Sequence, residues 1–366
     1  MKSKRLLLLI GSLCLALMLA LPLVGACAAP TPAPTPAAPE KVWHWNPSTW
    51  VPAGTCMDRL VYVSNLITEA SGGRIVCEPT APGAICPVEE QLDMVATGAT
   101  PAMFFYPDYY SGKIPLYILS ANACYLMDSM WEMRQYIERQ RGGRMLELIR
   151  EATAEYGDVY VVGMGYQFPY MPIISTVPVY STKDIDGMKF RCGDVPIAKA
   201  FGALGAAVTW FPGPEIYTAL ATGVVDAVTF AHPGDSIALG FHEVTKYWVK
   251  YPIAGAVAND HFVVNGEVWR ELPDDLKAVV EAAVAAGNAF SEYEHFTAIT
   301  KGWMAAEDYG VELIEWSEED ALEWKKTVAA GLPDFAVDAA STEAVEILEE
   351  FFVEWKPALA ELIGLA

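Results

Sequence analysis

Residues Asp274 to Asp308 set the tightest limit on the fold. The segment opens at Pro273-Asp274-Asp275, an acidic helix start, and keeps helical character for about 35 residues. At about 1.5 Å of rise per residue such a helix exceeds ~50 Å, too long for one lobe of a chain this size. The expectation is a body of two lobes with this helix spanning both.

The N-terminus is excluded from that body. Lys2, Lys4 and Arg5 precede an apolar run from Leu6 to Leu21, and Val24-Gly25-Ala26 places small residues before Cys27. This reads as a lipoprotein signal peptide over residues 1–26, with Cys27 lipidated; an ordinary signal peptide or an uncleaved anchor helix is the alternative. Residues 27–40 read as a tether in which Ala28 to Pro39 alternate Pro, Ala and Thr, a composition that extends as polyproline II rather than burying a core. The full chain carries 24 Lys+Arg against 46 Asp+Glu; without Lys2, Lys4 and Arg5 this becomes 21 against 46, or −25. A surface this anionic disfavours nucleic acid and anionic lipid headgroups. An acidic ligand then needs a local cation. After Cys14 and Cys27 an odd number of cysteines remains: Cys56, Cys77, Cys86, Cys124 and Cys192. Cys77 and Cys86 flank a Pro/Gly-rich turn and could pair across it. No CxxC spacing supports a zinc site.

Strands and helices alternate along the body. Val42–Trp45, Arg74–Cys77, Ala102–Phe105 and Val159–Met164 read as strands. Between them, Thr55–Ala70, Val88–Thr97 and Met127–Tyr156 read as helices, the last broken at Gly142-Gly143. A second block repeats the rhythm, with strands at Lys189–Arg191, Ala207–Trp210 and Asp226–Phe230 around helices Pro196–Leu204 and Pro214–Thr222. Ser317 starts another helix, and Thr342–Ile363 is read as the last. Such alternation implies α/β architecture with a mainly parallel sheet.

The stretch from Ser181 to Phe230 carries the chemistry. STKDIDGMKFRCG puts Arg191 at the end of a short apolar strand, followed by GALGAAVTWFPGPEIYTALATGVVDAVTF. An arginine offers a planar, permanently charged fork that matches a carboxylate. The alternative is a structural pairing with Asp194 or Asp226. KDIDGMKFR and ATGVVDAV, with GGRIVCEP and EEQLDMVATGA upstream, resemble the DctP-type solute-binding proteins of TRAP (tripartite ATP-independent periplasmic) transporters. YYSGKIP and HFVVNGEVW look like the branch that binds 2-oxo and 2-hydroxy monocarboxylates, often with a cation.

That resemblance implies a two-lobed periplasmic-binding-protein-like fold with hinge strands and a long lobe-spanning helix. Lobe I would hold residues 41–165 and 254–300, lobe II residues 166–253 and 301–366 with the C-terminal helices. It implies extracytoplasmic capture of a small organic acid, a monocarboxylate, and delivery to TRAP membrane permease subunits, with the membrane reached through the lipid anchor only. Arg191 matches the carboxylate-binding arginine. Gln167 lies near a glutamine position of the cation-using branch, and Thr229-Phe230 stands where that branch puts a carboxylate and an aromatic residue. Thr229 brings no charge, so direct binding without a cofactor is expected; a bound Ca²⁺ or Na⁺ is the alternative, and no metal ligands are assigned. Tyr109 and Tyr110 in the loop before Gly112, Trp210, and His261 complete the expected ligand contacts, each with core packing as its competing reading. Asp226 reads as a fold-supporting acceptor.

Catalytic arrangements are absent. There is no GxSxG elbow, His242-Glu243 lacks a second histidine at position 246, and no phosphate-binding loop occurs. The chain is therefore not read as an enzyme. The alternatives are a binding protein for an ATP-driven transporter or sensor and, more remotely, a lipid-anchored hydrolase.

Overall fold

The computed structural model describes residues 41–51, 54–166, 171–211, 213–230, 232–251 and 259–366. The leader, the tether, Cys27 and Gln167 lie outside these residues. The body is organised around two sheet systems. In the first, β1 (Trp43–Trp45) and β2 (Ile75–Cys77) pair in parallel. Beside them β10 (Asn259–Asn265) runs antiparallel between β3 (Ala102–Phe105) and β4 (Val159–Tyr166). The second sheet has the order β11 (Glu312–Glu315), β9 (Tyr247–Tyr251), β5 (Ile173–Ser175), β8 (Ala227–Thr229), β6 (Lys189–Arg191), β7 (Ala207–Thr209). Strands β8, β6 and β7 are mutually parallel, whereas β5 is antiparallel to both its neighbours.

The mainly parallel sheet expected from the alternation is thus corrected: the first sheet has an antiparallel centre. The cause is β10, which enters from far along the chain. All its residues are buried, and a strand covered on both faces normally reads as a continuous apolar run. Asn259, Asp260 and His261 interrupt that run.

Asp274–Asp308 is one helix of 35 residues. Its first half sets Leu276, Val280, Ala283 and Val284 against Leu60, Val63 and Ile67 of the helix Thr55–Ala70. Its far end puts Ala306 into the cluster of Ile174, Val228 and Trp248 in the second sheet. The helix therefore joins both sheet systems. Two glycines permit its closest approaches. A Cβ at Gly287 would stand 2.5 Å from Val63 Cγ2, and one at Gly302 would stand 2.5 Å from the Pro233 carbonyl carbon.

Other helices divide where their chemistry says. Met127–Tyr156 splits into Met130–Glu138 and Arg144–Tyr156, with Arg141, Gly142 and Gly143 at φ of 47°, 71° and 92° between them. The expected helix Thr342–Ile363 is two, Ala339–Trp355 and Pro357–Ile363. Pro357 lacks the amide needed to continue the ladder. The first of the two also starts earlier, because Asp338 caps it by accepting from Ser341 N–H at 2.7 Å.

Cys56, Cys77, Cys86, Cys124 and Cys192 are all free and buried. The expected Cys77–Cys86 pair is not formed. Cys77 packs with Leu60 and Ile75, Cys86 with Leu92 and Tyr110, so the two thiols enter separate parts of the core. Among the described residues no helix is long and apolar enough to cross a membrane.

Candidate solute-binding site

Arg191 is the last residue of β6, and only 3% of it is exposed. The carboxyl ends of three parallel strands converge on it. Its Nε and Nη2 donate to the Phe211 carbonyl, just beyond β7, at 3.1 and 3.0 Å. Its Nη1 donates to the Thr229 carbonyl, at the end of β8, at 3.1 Å. Each nitrogen thus gives one N–H to the backbone, and each terminal nitrogen keeps a second hydrogen. The guanidinium carbon lies 5.4 Å from the Phe230 ring centroid and 5.9 Å from that of Phe211, within cation–π range. Gly193 makes room, since a Cβ there would come within 3.2 Å of Nη1.

No carboxylate among the described residues lies at ion-pair distance from Arg191. The body's other fully buried guanidinium differs: Arg59 is paired with Asp260, both side chains fully buried. Asp226, an alternative partner, instead accepts from Lys189 N–H at 2.8 Å and pairs with its ammonium at 3.4 Å. Burial lowers the Arg191 pKa from its ordinary value, against an opposing pull from Asp194. A buried guanidinium held only by carbonyls is electrostatically unfinished, and an anion completes it.

The first sheet system contributes an aromatic wall. After β3, Tyr106 donates to Asp194 Oδ1 at 2.7 Å and lies 3.3 Å from the Tyr125 hydroxyl. Trp50 stacks on Tyr106 with centroids 4.7 Å apart and meets Tyr109 edge-on at 6.3 Å. The Trp50 indole donates to Asp260 Oδ1 at 2.7 Å, which ties this wall to the Arg59 pair. Asp108 Oδ2 accepts from Val195 N–H at 3.2 Å. These contacts join the two sheet systems next to Arg191. Burial raises the Tyr109 phenol pKa, while the nearby charge of Arg191 lowers it.

The expected contacts fall into three groups. Phe230, half-buried, and Tyr109 stand close to Arg191. Thr229 reaches it through its carbonyl only; its hydroxyl donates to Cys192 Sγ at 3.3 Å. Trp210 follows β7 and is 48% exposed. Tyr110 and His261 are corrected to core positions. The Tyr110 hydroxyl accepts from Leu92 N–H at 2.9 Å, and its ring packs on Phe105. His261 sits edge-on to Phe105 and Tyr117, with centroids at 5.5 and 5.2 Å, and neither ring nitrogen has a hydrogen-bond partner among the described residues. Burial pulls its pKa down to about 3. Asp108, Tyr125 and the Phe211 carbonyl were not anticipated. Asp108 lies in the same YPDYY run as Tyr109, which was the one available signal. Thr229 supplies no carboxylate, and the described residues hold no group of three or more His, Cys, Asp or Glu arranged for a metal.

A family model described as bacterial extracellular solute-binding protein, family 7 (DctP) matches residues 48–337. A Nostoc sp. protein named monocarboxylate 2-oxoacid-binding periplasmic protein is 26% identical over 229 residues, 62% of this chain and 60% of that one. The C4-dicarboxylate-binding periplasmic protein DctP of Rhodobacter capsulatus is 25% identical over 206 residues, 54% of this chain and 58% of the relative. The chain thus spans about three-fifths of the length of these relatives. A TRAP periplasmic solute-binding protein from Chromohalobacter salexigens superposes with a TM-score of 0.75 at 19% identity, covering 87% of this chain and 98% of that one. One from Desulfovibrio salexigens with bound orotic acid gives 0.74 at 18% identity, covering 85% and 99%. These likenesses establish the two-lobed fold of TRAP periplasmic binding proteins. With the matched family model extending from residue 48 to residue 337, the chain belongs to bacterial extracellular solute-binding protein family 7, the DctP family.

Proposed function

We propose that this protein captures a small monocarboxylate outside the cytoplasm and delivers it to the membrane subunits of a TRAP transporter. One observation carries the reading: a buried guanidinium, held by two backbone carbonyls, with hydrogens to spare and no described carboxylate at ion-pair distance. Arg191 is the clamp. Tyr109 and the rings of Phe230 and Trp50 exclude water around it, which strengthens each charge-assisted bond. Gln167 and Trp210 belong to the same proposed site. Binding is direct, without a cation, because Thr229 turns its hydroxyl to Cys192 and adds no charge. The curated relative named for monocarboxylate 2-oxoacids supports the ligand class.

The test is a thermal-shift screen of 2-oxo and 2-hydroxy monocarboxylates, with and without Ca²⁺ or Na⁺, followed by calorimetry. A bound acid raises the melting temperature by mass action. Arg191→Ala removes one member of a buried charge pair, which costs ~2–5 kcal/mol, roughly 30- to 4,000-fold in affinity. Unchanged affinity in Arg191→Ala refutes the clamp, and binding that requires the cation refutes direct capture. Cys27 is proposed as the lipid anchor. Membrane fractions that retain Cys27→Ser, with no acyl label on the wild type, refute that part.

A further inference from the structure

Two buried acids meet beside Arg191. Asp108 belongs to the first sheet system, and Asp194 stands three positions beyond the end of β6. Asp108 Oδ2 accepts from Val195 N–H at 3.2 Å, while its Oδ1 is buried without a hydrogen-bond partner among the described residues. Asp194 Oδ1 accepts from Tyr106 at 2.7 Å, and Tyr125 also bonds to Asp194. Neither acid has an ion-pair partner among the described residues, though Asp108 is 5% and Asp194 8% exposed. The described groups facing the pair are Tyr106, Tyr109 and Tyr125, the thiols of Cys124 and Cys192, and Arg191. Arg191 is the one positive charge among them. The backbone behind Tyr125 is also unusual. Ala123, Cys124 and Tyr125 are consecutive left-handed residues at φ of 45°, 53° and 59°. Such strain persists where surrounding contacts over-determine it, and here it holds Tyr125 onto Tyr106 and Asp194.

Two ionised carboxylates buried together without a counter-ion are less stable than a pair that retains a proton. We propose that the Asp108–Asp194 pair holds one proton and that an acid anion bound at Arg191 makes it hold that proton more tightly, so that above neutral pH, where the ligand-free pair gives it up, the site captures an anion and a proton together. The inference rests on the reading of Arg191 as the carboxylate clamp. The proton comes from solvent and settles on the pair; no bond of the ligand changes. A carboxylate on Arg191 cancels the charge that favours an ionised Asp194 and adds a negative charge of its own. The pair therefore holds its proton more tightly with ligand than without. Affinity is then full below the ligand-free pKa and weakens as pH rises above it. Burial, with the charge of Asp194, pushes the Asp108 carboxyl well above the ordinary carboxylate range, so the decline falls above neutral pH and approaches about tenfold per pH unit.

The experiment is calorimetry on the full chain at pH 8 with pyruvate, 2-oxoisovalerate and lactate, in phosphate and in Tris, whose ionisation heats differ. The expected result is a binding heat that depends on the buffer and reports uptake of up to one proton, a dependence lost in Asp108→Asn. Infrared spectra of the ligand-free wild type at pH 7 should show a protonated carboxyl component that is missing from Asp108→Asn. Wild-type binding with equal heats in both buffers overturns the proposal alone, as does a protonated carboxyl region identical in the wild type and Asp108→Asn. Failure of all these acids to bind overturns the clamp reading and the proposal with it.

Discussion

Arg191 and Arg59 are both buried guanidiniums, yet their environments set them apart. Arg59 is neutralised by Asp260 and donates to the Tyr166 carbonyl at 3.3 Å; removing either member of such a pair strands a charge, at a cost of ~3–5 kcal/mol. Arg191 has carbonyl partners only, so its desolvation is incompletely offset until an anion arrives. His261 shows the opposite logic. It is a buried ionisable group kept neutral, with a pKa of about 3 in the folded protein. A histidine whose pKa is depressed by folding contributes fully above its unfolded value of ~6.5 and loses that contribution as pH falls toward 3. Replacing His261 by Phe removes the proton linkage. The variant should gain about 2 kcal/mol relative to the wild type on going from pH 8 to pH 5, read by denaturant unfolding at both values. It should also retain acid binding. An equal difference at the two pH values would show that His261 is not held neutral, and lost binding would return it to the site.

The site is made by strand ends. Within the second sheet β6 lies between β8 and β7, and all three point their carboxyl ends at the guanidinium. Open sheets with parallel strands place ligands beyond those ends. The spine helix sets how the two sheet systems meet. Its contact with the short helix Pro233–Ala238 is backbone to backbone at Gly302 and Gly234, and His232 caps that short helix by accepting from Gly234 and Asp235 N–H at 3.1 and 3.3 Å. Gly302→Ala inserts a methyl where the Pro233 carbonyl carbon stands 2.5 Å away. Backbone cannot yield as a side chain does, so overpacking should destabilise the body by ~1–3 kcal/mol. A lower melting temperature for Gly302→Ala is the expected outcome; an unchanged one would mean the two helices separate at little cost.

The entire protein is strongly anionic, at −22 by formal charge, while the described site presents a single free guanidinium. The distant field therefore repels an acid that the site attracts. Raising salt shortens the Debye length from about 30 Å at 0.01 M to about 8 Å at 0.15 M. Screening should weaken the repulsion more than the buried clamp, so association of an organic acid should speed up with salt. Stopped-flow tryptophan fluorescence measures this directly; association that slows with salt would place further cations at the entrance.

Local periodicity and motif spacing were enough for the strand–helix rhythm, the long spine helix and the arginine at the end of β6, because each depends on residues a few positions apart. The glycine break near 142 and the start of the helix after Ser317 were legible for the same reason. Contacts between distant segments were not. Arg59 and Asp260 are 201 positions apart, β10 too lies far along the chain from the strands it separates, and no local pattern announces which buried arginine will find an acid. Nor could spacing tell that Tyr109 approaches Arg191 while the adjacent Tyr110 turns into the core, or that Cys77 and Cys86 enter different clusters. Chain crossing decides those pairings, since burial and charge neutralisation are satisfied only once remote segments are packed together.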